Sequence, residues 1–208
     1  MSRKISTEKL EATSSDGFSE VMVSMVESPH KFYVQKAGPL SKALDRLIAD
    51  MTDFYKDETN RTKCATFSLR VDGLVAVMSE EDDCWYRGRV VSIESDQDNW
   101  DDVGTTVRVF ILDFGDILTV NLSKVVDLKP EFLSMNFQAI ECRLAYLKPI
   151  LGKEEQWMNE SAKTLETLSY CIQWKIVMAR TEYYKQVGNN LIPCVKLIDT
   201  NGEKVQQE

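Results

Sequence analysis

Two β-type runs between Asp82 and Asp116 constrain the fold of this chain more than any other stretch. The first, Trp85 to Val91, joins aromatic residues and arginines to branched aliphatic residues. The second, Val107 to Leu112, leads into the turn Asp113-Phe114-Gly115-Asp116. Runs of aromatic and β-branched residues that end at polar or glycine-containing turns are typical of antiparallel strands. We therefore predict a strand pair here and expect any binding site to lie on it.

The rest of the chain supplies strands and helices on both sides of this pair. We predict strands at residues 18–26, 31–35, 74–78, 84–92, 106–113, 117–121, 139–147, 172–179 and 191–198. Helices are predicted at residues 40–56 and 154–170, because apolar side chains recur there at helical spacing. Residues 122–128 should form a short 3₁₀ turn that Pro130 stops, and residues 184–190 a polar loop. The short strands between residues 71 and 130 predict a small bent barrel, and the outer strands predict a second one.

The charge of the chain narrows the class of partner. The formal net charge is −8, from 25 Lys and Arg against 33 Asp and Glu. Nucleic-acid binders usually carry a basic stripe, so we expect no direct nucleic-acid binding. An acidic surface instead favours a cationic partner such as a basic peptide. No apolar run approaches the roughly 20 residues of a membrane helix, so we also expect no membrane partner.

Cysteine and histidine usage points away from metal chemistry. The five cysteines are widely scattered and have no short C-x-x-C spacing, so we expect reduced thiols, no metal site and no cofactor. The single histidine, His30, follows a proline and is expected to be an exposed turn residue. The polar first sixteen residues lack an apolar signal core, which predicts a frayed leader and a cytoplasmic or nuclear protein.

The central strands resemble a known family. Trp85-Tyr86-Arg87-Gly88-Arg89-Val90, followed by Val109 to Asp116, resembles the core of a Tudor domain. Gln138 to Ala145 and the turn from Asp199 to Gly202 extend the resemblance to the extended Tudor domain. It implies a mainly β fold with two or more helices, in which a bent Tudor β-barrel is inserted in a nuclease-like (OB-type) β-barrel and linked to it by a helix.

The implied segments are a flexible leader at 1–17, the first part of the nuclease-like barrel with the linker helix at 18–70, the Tudor barrel at 71–130, the second part of the nuclease-like barrel at 131–202, and a tail at 203–208.

This resemblance also implies a ligand and a setting. Extended Tudor domains bind the arginine-rich N-terminal tails of PIWI-type Argonaute proteins, often at symmetric dimethylarginine. The implied role is a non-enzymatic scaffold of the piRNA pathway, in cytoplasmic and perinuclear germline granules (nuage). Self-association through other regions of a longer protein is a further possibility that the family raises.

The implied arginine site departs from the family pattern. Family members hold the guanidinium between about four aromatic rings and an Asn, because cations are attracted to ring faces. Here the ring positions fall at Met78 or Ser79, at Tyr86, at Ile111 and at Phe114, and the Asn position falls at Asp116. Two rings are thus lost, and the amide is replaced by a carboxylate.

These departures predict a change in preference. A carboxylate favours an unmodified guanidinium, which can make paired charge-assisted hydrogen bonds. An acidic rim borders the site, at Glu80, Glu81, Asp82 and Asp83. The next connector is also acidic and carries Trp100, with its acids at Glu94, Asp96, Asp98, Asp101 and Asp102. We therefore predict a peptide-binding module that recognises unmethylated arginine or binds independently of methylation.

Several other functions fit parts of the same pattern. The chain could be a conventional dimethylarginine reader whose cage is completed by Met78 or by a ring from another strand. It could also be a structural or oligomerising module, or an RNA-binding variant whose affinity would fall steeply with salt. Asp113-Phe114-Gly115 matches the metal-binding signature of kinases, but the chain lacks a Gly-rich phosphate loop and a His-Arg-Asp motif. A nuclease would need clustered carboxylates on the outer strands, and none are seen there.

Overall fold

The structure is a computed structural model that describes residues 5–12, 14–65, 69–94, 104–150 and 157–200. These residues divide into two compact units, one formed by Met1–Thr7 and Lys42–Phe137 and the other by Glu8–Ser41 and Gln138–Glu208. The strands of the described residues are β1 Phe18–Ser28, β2 Lys31–Lys36, β3 Leu74–Met78, β4 Trp85–Glu94, β5 Thr106–Ile111, β6 Ile117–Asn121, β7 Val125–Asp127, β8 Ile140–Leu144, β9 Val177–Val187 and β10 Asn190–Ile198. Their helices are α1 Pro39–Lys56, α2 Glu58–Lys63 and α3 Asn159–Leu168, with short 3₁₀ helices at Leu122–Lys124 and Pro130–Leu133.

The unit containing residues 42–137 is built on one antiparallel sheet. Its five strands follow the order β6-β5-β4-β3-β7. Val120 of β6 and Val125 of β7 come from opposite edges of this order, yet both lie in one apolar core with Val77 and Val109. The sheet must therefore curve strongly, as expected of the bent barrel predicted from the spacing of the strands.

Helix α1 packs on the other face of this sheet. Its buried residues Leu44, Leu47, Met51 and Tyr55 form a second core with Trp85. The Tyr55 and Trp85 rings stack with centroids 5.0 Å apart. Side chains alternate along a strand, so Trp85 enters this core while its neighbour Tyr86 points to the opposite face. Trp85 thereby ties α1 to this unit, although the segment predicted for the Tudor barrel starts only at residue 71.

Gly88 is the position on β4 where the sheet has no room for a side chain. A Cβ atom at this residue would lie 2.2 Å from Cγ1 of Val109. Gly88→Ala should therefore lower the free energy of unfolding by about 1–3 kcal/mol, since it overpacks a closed core. Urea denaturation measures this effect. Adding Val109→Ala should recover part of the loss, and additive losses in the double variant would contradict the proposed clash.

The second unit is a closed five-stranded barrel assembled from both ends of the chain. The strands follow the order β1-β2-β8-β10-β9, and β9 pairs again with β1. Only β8 and β10 pair in parallel. The core contains Val21, Phe32, Cys142 and Val195, which are all fully buried. This arrangement confirms the predicted fold class, in which a nuclease-like barrel is interrupted in sequence by the Tudor sheet.

Three segments differ from the sequence-based expectations. Residues 122–128 form a 3₁₀ helix followed by the edge strand β7, and Pro130 begins another 3₁₀ helix instead of stopping the first. β9 begins at Val177, five residues later than predicted, and continues through residues 184–187, which were predicted to be a loop. The residues before it form turns with positive φ at Tyr170, Ile172 and Trp174, a backbone conformation that an apolar pattern does not reveal.

The N-terminal residues and His30 also differ from expectation. Leu10, predicted to lie in a flexible leader, is buried in the barrel core. Thr7 forms a β-bridge with Phe137. His30 is only partly exposed, because its Nε2 lies 3.0 Å from the Leu147 carbonyl oxygen and its ring packs edge-on against Trp157. Trp100 and the predicted acids of the connector after Glu94 lie outside the described residues. No helix of the described residues is long and apolar enough to cross a membrane.

Candidate functional site

The Asp-Phe-Gly-Asp turn between β5 and β6 is the centre of the candidate site. The Ile111 carbonyl oxygen accepts hydrogen bonds from the N–H groups of Phe114 and Gly115, at 3.3 and 2.9 Å. The Ile111 N–H donates to the Asp116 carbonyl oxygen at 2.9 Å. Gly115 adopts a φ of 92°, which glycine tolerates without a steric penalty. The turn therefore holds the side chains of Phe114 and Asp116 in a defined position.

Asp113 anchors this turn to β4 through an ion pair with Arg87. Arg87 donates from Nε to Asp113 Oδ2 at 2.9 Å and from Nη2 to Oδ1 at 2.6 Å. Both side chains are almost completely buried. The sequence pattern alone does not show this pair, because Arg87 and Asp113 are 26 residues apart in the chain. Among the described residues, no group of three His, Cys, Asp or Glu side chains could hold a metal ion.

Tyr86 on β4 and Phe114 on the turn form the aromatic part of the site. Their ring centroids lie 5.5 Å apart at an interplanar angle of 85°, an edge-to-face arrangement. Both rings pack against the core that contains Ile111, whose side chain is only 2% exposed. Ile111 therefore supports the rings from the core and offers no open surface of its own.

Asp82 of the acidic rim orients the Tyr86 ring. The Tyr86 hydroxyl donates a hydrogen bond to Asp82 Oδ2, and the Cys84 N–H donates to Oδ1. Burial tends to raise the pKa of Asp82, but the hydrogen bonds from Tyr86 and Cys84 outweigh it and hold the pKa below its ordinary value. Burial and the Asp82 hydrogen bond raise the pKa of the Tyr86 phenol, so it remains a neutral donor. The sequence showed Asp82 only as one of four clustered acids, and this positioning role depends on the tertiary contact.

Asp116 carries the least satisfied polar group of the site. Its Oδ1 is shielded from solvent and accepts no hydrogen bond from any described residue. Burial raises the pKa of the carboxyl, its own N–H partly offsets this, and the nearby charge of Glu81 raises the pKa again. A buried carboxylate oxygen without a donor is costly, so an incoming donor would relieve that cost.

The other predicted site residues lie in two different places. Met78 pairs with Trp85 across β3 and β4 and packs against the α1 core, on the face opposite Tyr86. Ser79 is buried at the start of the rim turn, where its Oγ accepts a hydrogen bond from the Glu81 N–H. The structure thus brings together Tyr86, Ile111, Phe114 and Asp116, whereas Met78 shares a core with Phe114 but not with Tyr86.

The rim itself is a tight, exposed turn. Ser79 N–H donates to the Cys84 carbonyl oxygen at 2.9 Å, and Asp83 adopts a φ of 58°. The side chains of Glu80, Glu81 and Asp83 are exposed. Glu80 has one basic neighbour, Lys124, at 3.9 Å. Negative charge therefore remains available around the rings.

Asp116→Asn should make the chain more stable at neutral pH. Because the folded carboxyl has a raised pKa, the folded state binds more protons than the unfolded chain between the ordinary value of 3.8 and the raised one. The free energy of unfolding of the natural chain therefore falls as pH rises through that window. The Asn variant has no carboxyl here, so its free energy of unfolding does not change for this reason. The gain should be present at pH 7 and vanish below pH 3.8.

Urea denaturation of both chains from pH 3.5 to pH 8 would measure this difference. Asp127→Asn, at an exposed carboxylate of β7, is the matched control and should show no such gain. A gain from Asp116→Asn that is the same at every pH would argue against a buried carboxylate.

Comparisons with known proteins identify the family and the fold of this chain. The Tudor domain family model matches residues 14–146. A Tudor and KH domain-containing protein homolog of Bombyx mori is 33% identical over 199 residues, covering 88% of this chain and 31% of its own length. The chain spans about a third of the length of this Bombyx mori protein and of its Drosophila melanogaster counterpart.

Solved structures extend the likeness to the whole fold. The Drosophila melanogaster Papi extended Tudor domain matches with a TM-score of 0.83 and 33% identity, over 90% of this chain and 91% of that one. A variant of the Papi domain was solved with an unmethylated Piwi N-terminal peptide (TM-score 0.81, 30% identity, 90% and 92% covered). It was also solved with the symmetrically dimethylated peptide (TM-score 0.80, 30% identity, 90% and 91% covered). This chain therefore belongs to the Tudor domain family and has the extended Tudor fold.

Proposed function

We propose that this domain binds an arginine in the arginine-rich N-terminal tail of a PIWI-type Argonaute protein and does not require its methylation. The observation that carries the proposal is the buried Oδ1 of Asp116, which lacks a donor among the described residues. The Papi complexes support the ligand class, because that related domain was solved with a Piwi peptide in both the unmethylated and the dimethylated form.

A guanidinium suits this carboxylate better than other cations do. Its planar fork of N–H donors matches the two oxygens of a carboxylate, and such charge-assisted bonds are roughly twice as strong as neutral ones. Symmetric dimethylation replaces one N–H on each terminal nitrogen with a methyl group, so fewer donors remain for Asp116. An unmodified arginine can therefore satisfy the carboxylate at least as well as a dimethylated one.

The two rings are arranged for one stacking contact only. Tyr86 and Phe114 meet edge to face, so a flat cation can stack on one ring while it touches the edge of the other. One such contact contributes about 0.5–2 kcal/mol, depending on how well it excludes water. Met78 lies on the opposite face of the sheet, so its position gives no support to a cage completed by this side chain.

The exposed rim acids add long-range attraction. Glu80, Glu81 and Asp83 face solvent beside the rings, and they would attract the further arginines of a basic tail. Attraction of this kind raises the association rate and is screened by salt. The rim should therefore affect how fast the peptide binds more than which arginine is held.

Paired peptide titrations by calorimetry test this proposal. An arginine-rich tail peptide should bind in its unmodified form at least as tightly as with symmetric dimethylarginine. Tyr86→Ala should weaken both forms about 2- to 30-fold, since it removes one cation–π contact of roughly 0.5–2 kcal/mol. Arg89→Ala, at an exposed residue of the same strand, is the control and should bind normally.

Two outcomes would overturn it. Clear preference for the dimethylated peptide would identify a conventional methylarginine reader. Absence of binding to either peptide by a folded domain would favour a structural module without an arginine ligand.

The proposed binding gives the domain a scaffolding role. The carboxylate of Asp113 is engaged by Arg87, and the Tudor family is a peptide-binding module, so we propose no catalysis. A domain that binds Argonaute tails would concentrate these proteins in cytoplasmic, perinuclear germline granules. Imaging of the natural full-length protein tests this location, and loss of granule recruitment by an arginine-site variant would link it to tail binding.

A further inference from the structure

The end of β9 presents an unpaired strand edge. β9 pairs with β1 only from Val177 to Arg180. From Thr181 to Val187 it pairs with β10 alone, and no other described strand covers its outer edge. Free edges are ready templates for another strand, and proteins normally block them with proline, charge or short length. An open edge of seven residues is therefore unusual and suggests that another strand covers it.

The opposite edge of the same hairpin is blocked. β10 pairs with β8 only at Cys194 and Val195, so residues 190–193 form an extension without a β8 partner. Pro193 lies in this extension, and a proline in a strand is tolerated where its missing N–H would face away from the ladder. Only the β10 edge is protected in this way, which leaves the β9 edge as the open one.

Pro193 also reveals which groups of β9 face outward. It stands opposite Tyr184, and a pair whose proline gives no N–H to the ladder is a non-hydrogen-bonded pair. In such a pair, both partners direct their N–H and C=O groups away from each other. The main-chain groups of Tyr184 therefore point to the open edge, where none of the described strands bonds them, and they could bond a further strand.

The side chains at this edge are unusually apolar and aromatic for a solvent-facing ribbon. Tyr184 is 56% exposed, Tyr183 41% and Val187 37%. The charges of the segment, Glu182 and Lys185, cancel, whereas the whole chain carries −8. A neutral strand is where two copies of an acidic domain can meet with little repulsion.

The open segment is also compatible with pairing to itself. In a two-fold antiparallel pair, the axis is normal to the sheet, and side chains on the same face stand opposite each other. With Tyr184 on the axis, Tyr184 meets its own copy and Tyr183 meets Lys185. These are aromatic and cation–π pairs, with no like charges opposite each other.

Two local contacts order the strand for this role. The Tyr146 hydroxyl donates to Glu182 Oε2 at 3.2 Å, and the Tyr146 and Tyr183 rings lie 5.4 Å apart. Glu182 itself stands at a β-bulge without a ladder partner on β10, so the regular part of a new ladder would begin at Tyr183. Pairing of ordered strands loses less conformational entropy than pairing of mobile ones.

We propose that two copies of this domain associate by antiparallel pairing of their β9 strands about Tyr184. The contact lies in the barrel unit and involves none of the residues of the arginine site, so it does not depend on the proposed peptide ligand. A pair of domains would offer two arginine sites to one tail with several arginines and would raise the apparent affinity through avidity.

Sedimentation equilibrium of the whole 208-residue chain tests the pairing. The chain should show a reversible monomer–dimer equilibrium between about 10 and 500 μM, the range expected of a small interface. Tyr184→Lys and Tyr184→Glu should each weaken the dimer at least 10-fold, because each places like charges on the two-fold axis. An equal mixture of the two variants should recover dimer as a heterodimer.

The mixing experiment makes the register falsifiable. Ile172→Lys, at an exposed residue outside β9, is the matched control and should dimerise like the natural chain. Circular dichroism of each variant checks that the barrel is folded. A natural chain that stays monomeric at 500 μM would overturn the proposal, as would dimers that are indifferent to Tyr184. Failure of the mixture to recover dimer would exclude pairing about Tyr184.

Discussion

Arg87→Ala should lower the free energy of unfolding by about 3–5 kcal/mol, the loss expected when one partner of a buried ion pair is removed. Arg87 is 1% exposed, and its guanidinium binds both oxygens of Asp113. It also donates to the carbonyl oxygens of Phe132, Met135 and Asn136 at 3.1, 2.8 and 3.0 Å. Removing it takes away the hydrogen bonds that Arg87 supplies to a buried carboxylate and to three carbonyl groups.

This loss should be visible in tryptophan fluorescence during urea denaturation. Arg89→Ala is the matched control, because Arg89 lies two residues away on the same strand but is exposed. Arg89 makes a cation–π contact with the Phe110 ring at 5.5 Å, and the loss of one exposed contact of this kind should cost less than about 1 kcal/mol. Arg87→Lys should not restore the lost stability, since an ammonium group cannot reproduce the planar fork of N–H donors of a guanidinium. Equal losses for Arg87→Ala and Arg89→Ala would contradict the anchoring role.

Asp116→Lys should weaken binding of the unmodified arginine peptide by about 100-fold or more, because juxtaposed like charges at an interface cost several kcal/mol. The substitution replaces the carboxylate that would receive the guanidinium with a second cation. The side chain is only partly buried, so a lysine can extend to solvent and the domain should remain folded. Calorimetry with the unmodified peptide measures the loss, and thermal unfolding checks the fold.

The control for this variant separates local from global electrostatics. Asp127→Lys makes the same change in net charge at an exposed residue of β7. It should change affinity only slightly and mainly at low salt, because exposed charges are screened beyond about 10 Å at 0.1 M ionic strength. A similar loss from both variants would show that net charge, and not Asp116, attracts the peptide.

Much of the local structure follows from sequence pattern. The bounds of β3 and β6 were predicted without error, and α1 differs by one residue at its start. These elements have strict periodicity and end at turn or cap residues. Prediction was poorest where periodicity is absent. β7 has only three residues, and the turns before β9 place Tyr170, Ile172 and Trp174 at positive φ, which their residue types do not indicate.

The sequence by itself predicted most of the strands along the chain and the alternation that sends Trp85 and Tyr86 to opposite faces, whereas the family resemblance supplied the positions proposed for arginine. The sequence could not decide what each face meets, because a period of two defines two faces without saying which one a helix covers. In the tertiary structure Met78 packs against the core that contains the buried residues of α1, and we therefore leave it out of the proposed arginine site. The tertiary structure also paired Arg87 with Asp113 and Asp82 with Tyr86, contacts that depend on chain reversals and not on spacing. The unsatisfied Oδ1 of Asp116 exists only in the folded chain, because burial removes the water that would otherwise bond it.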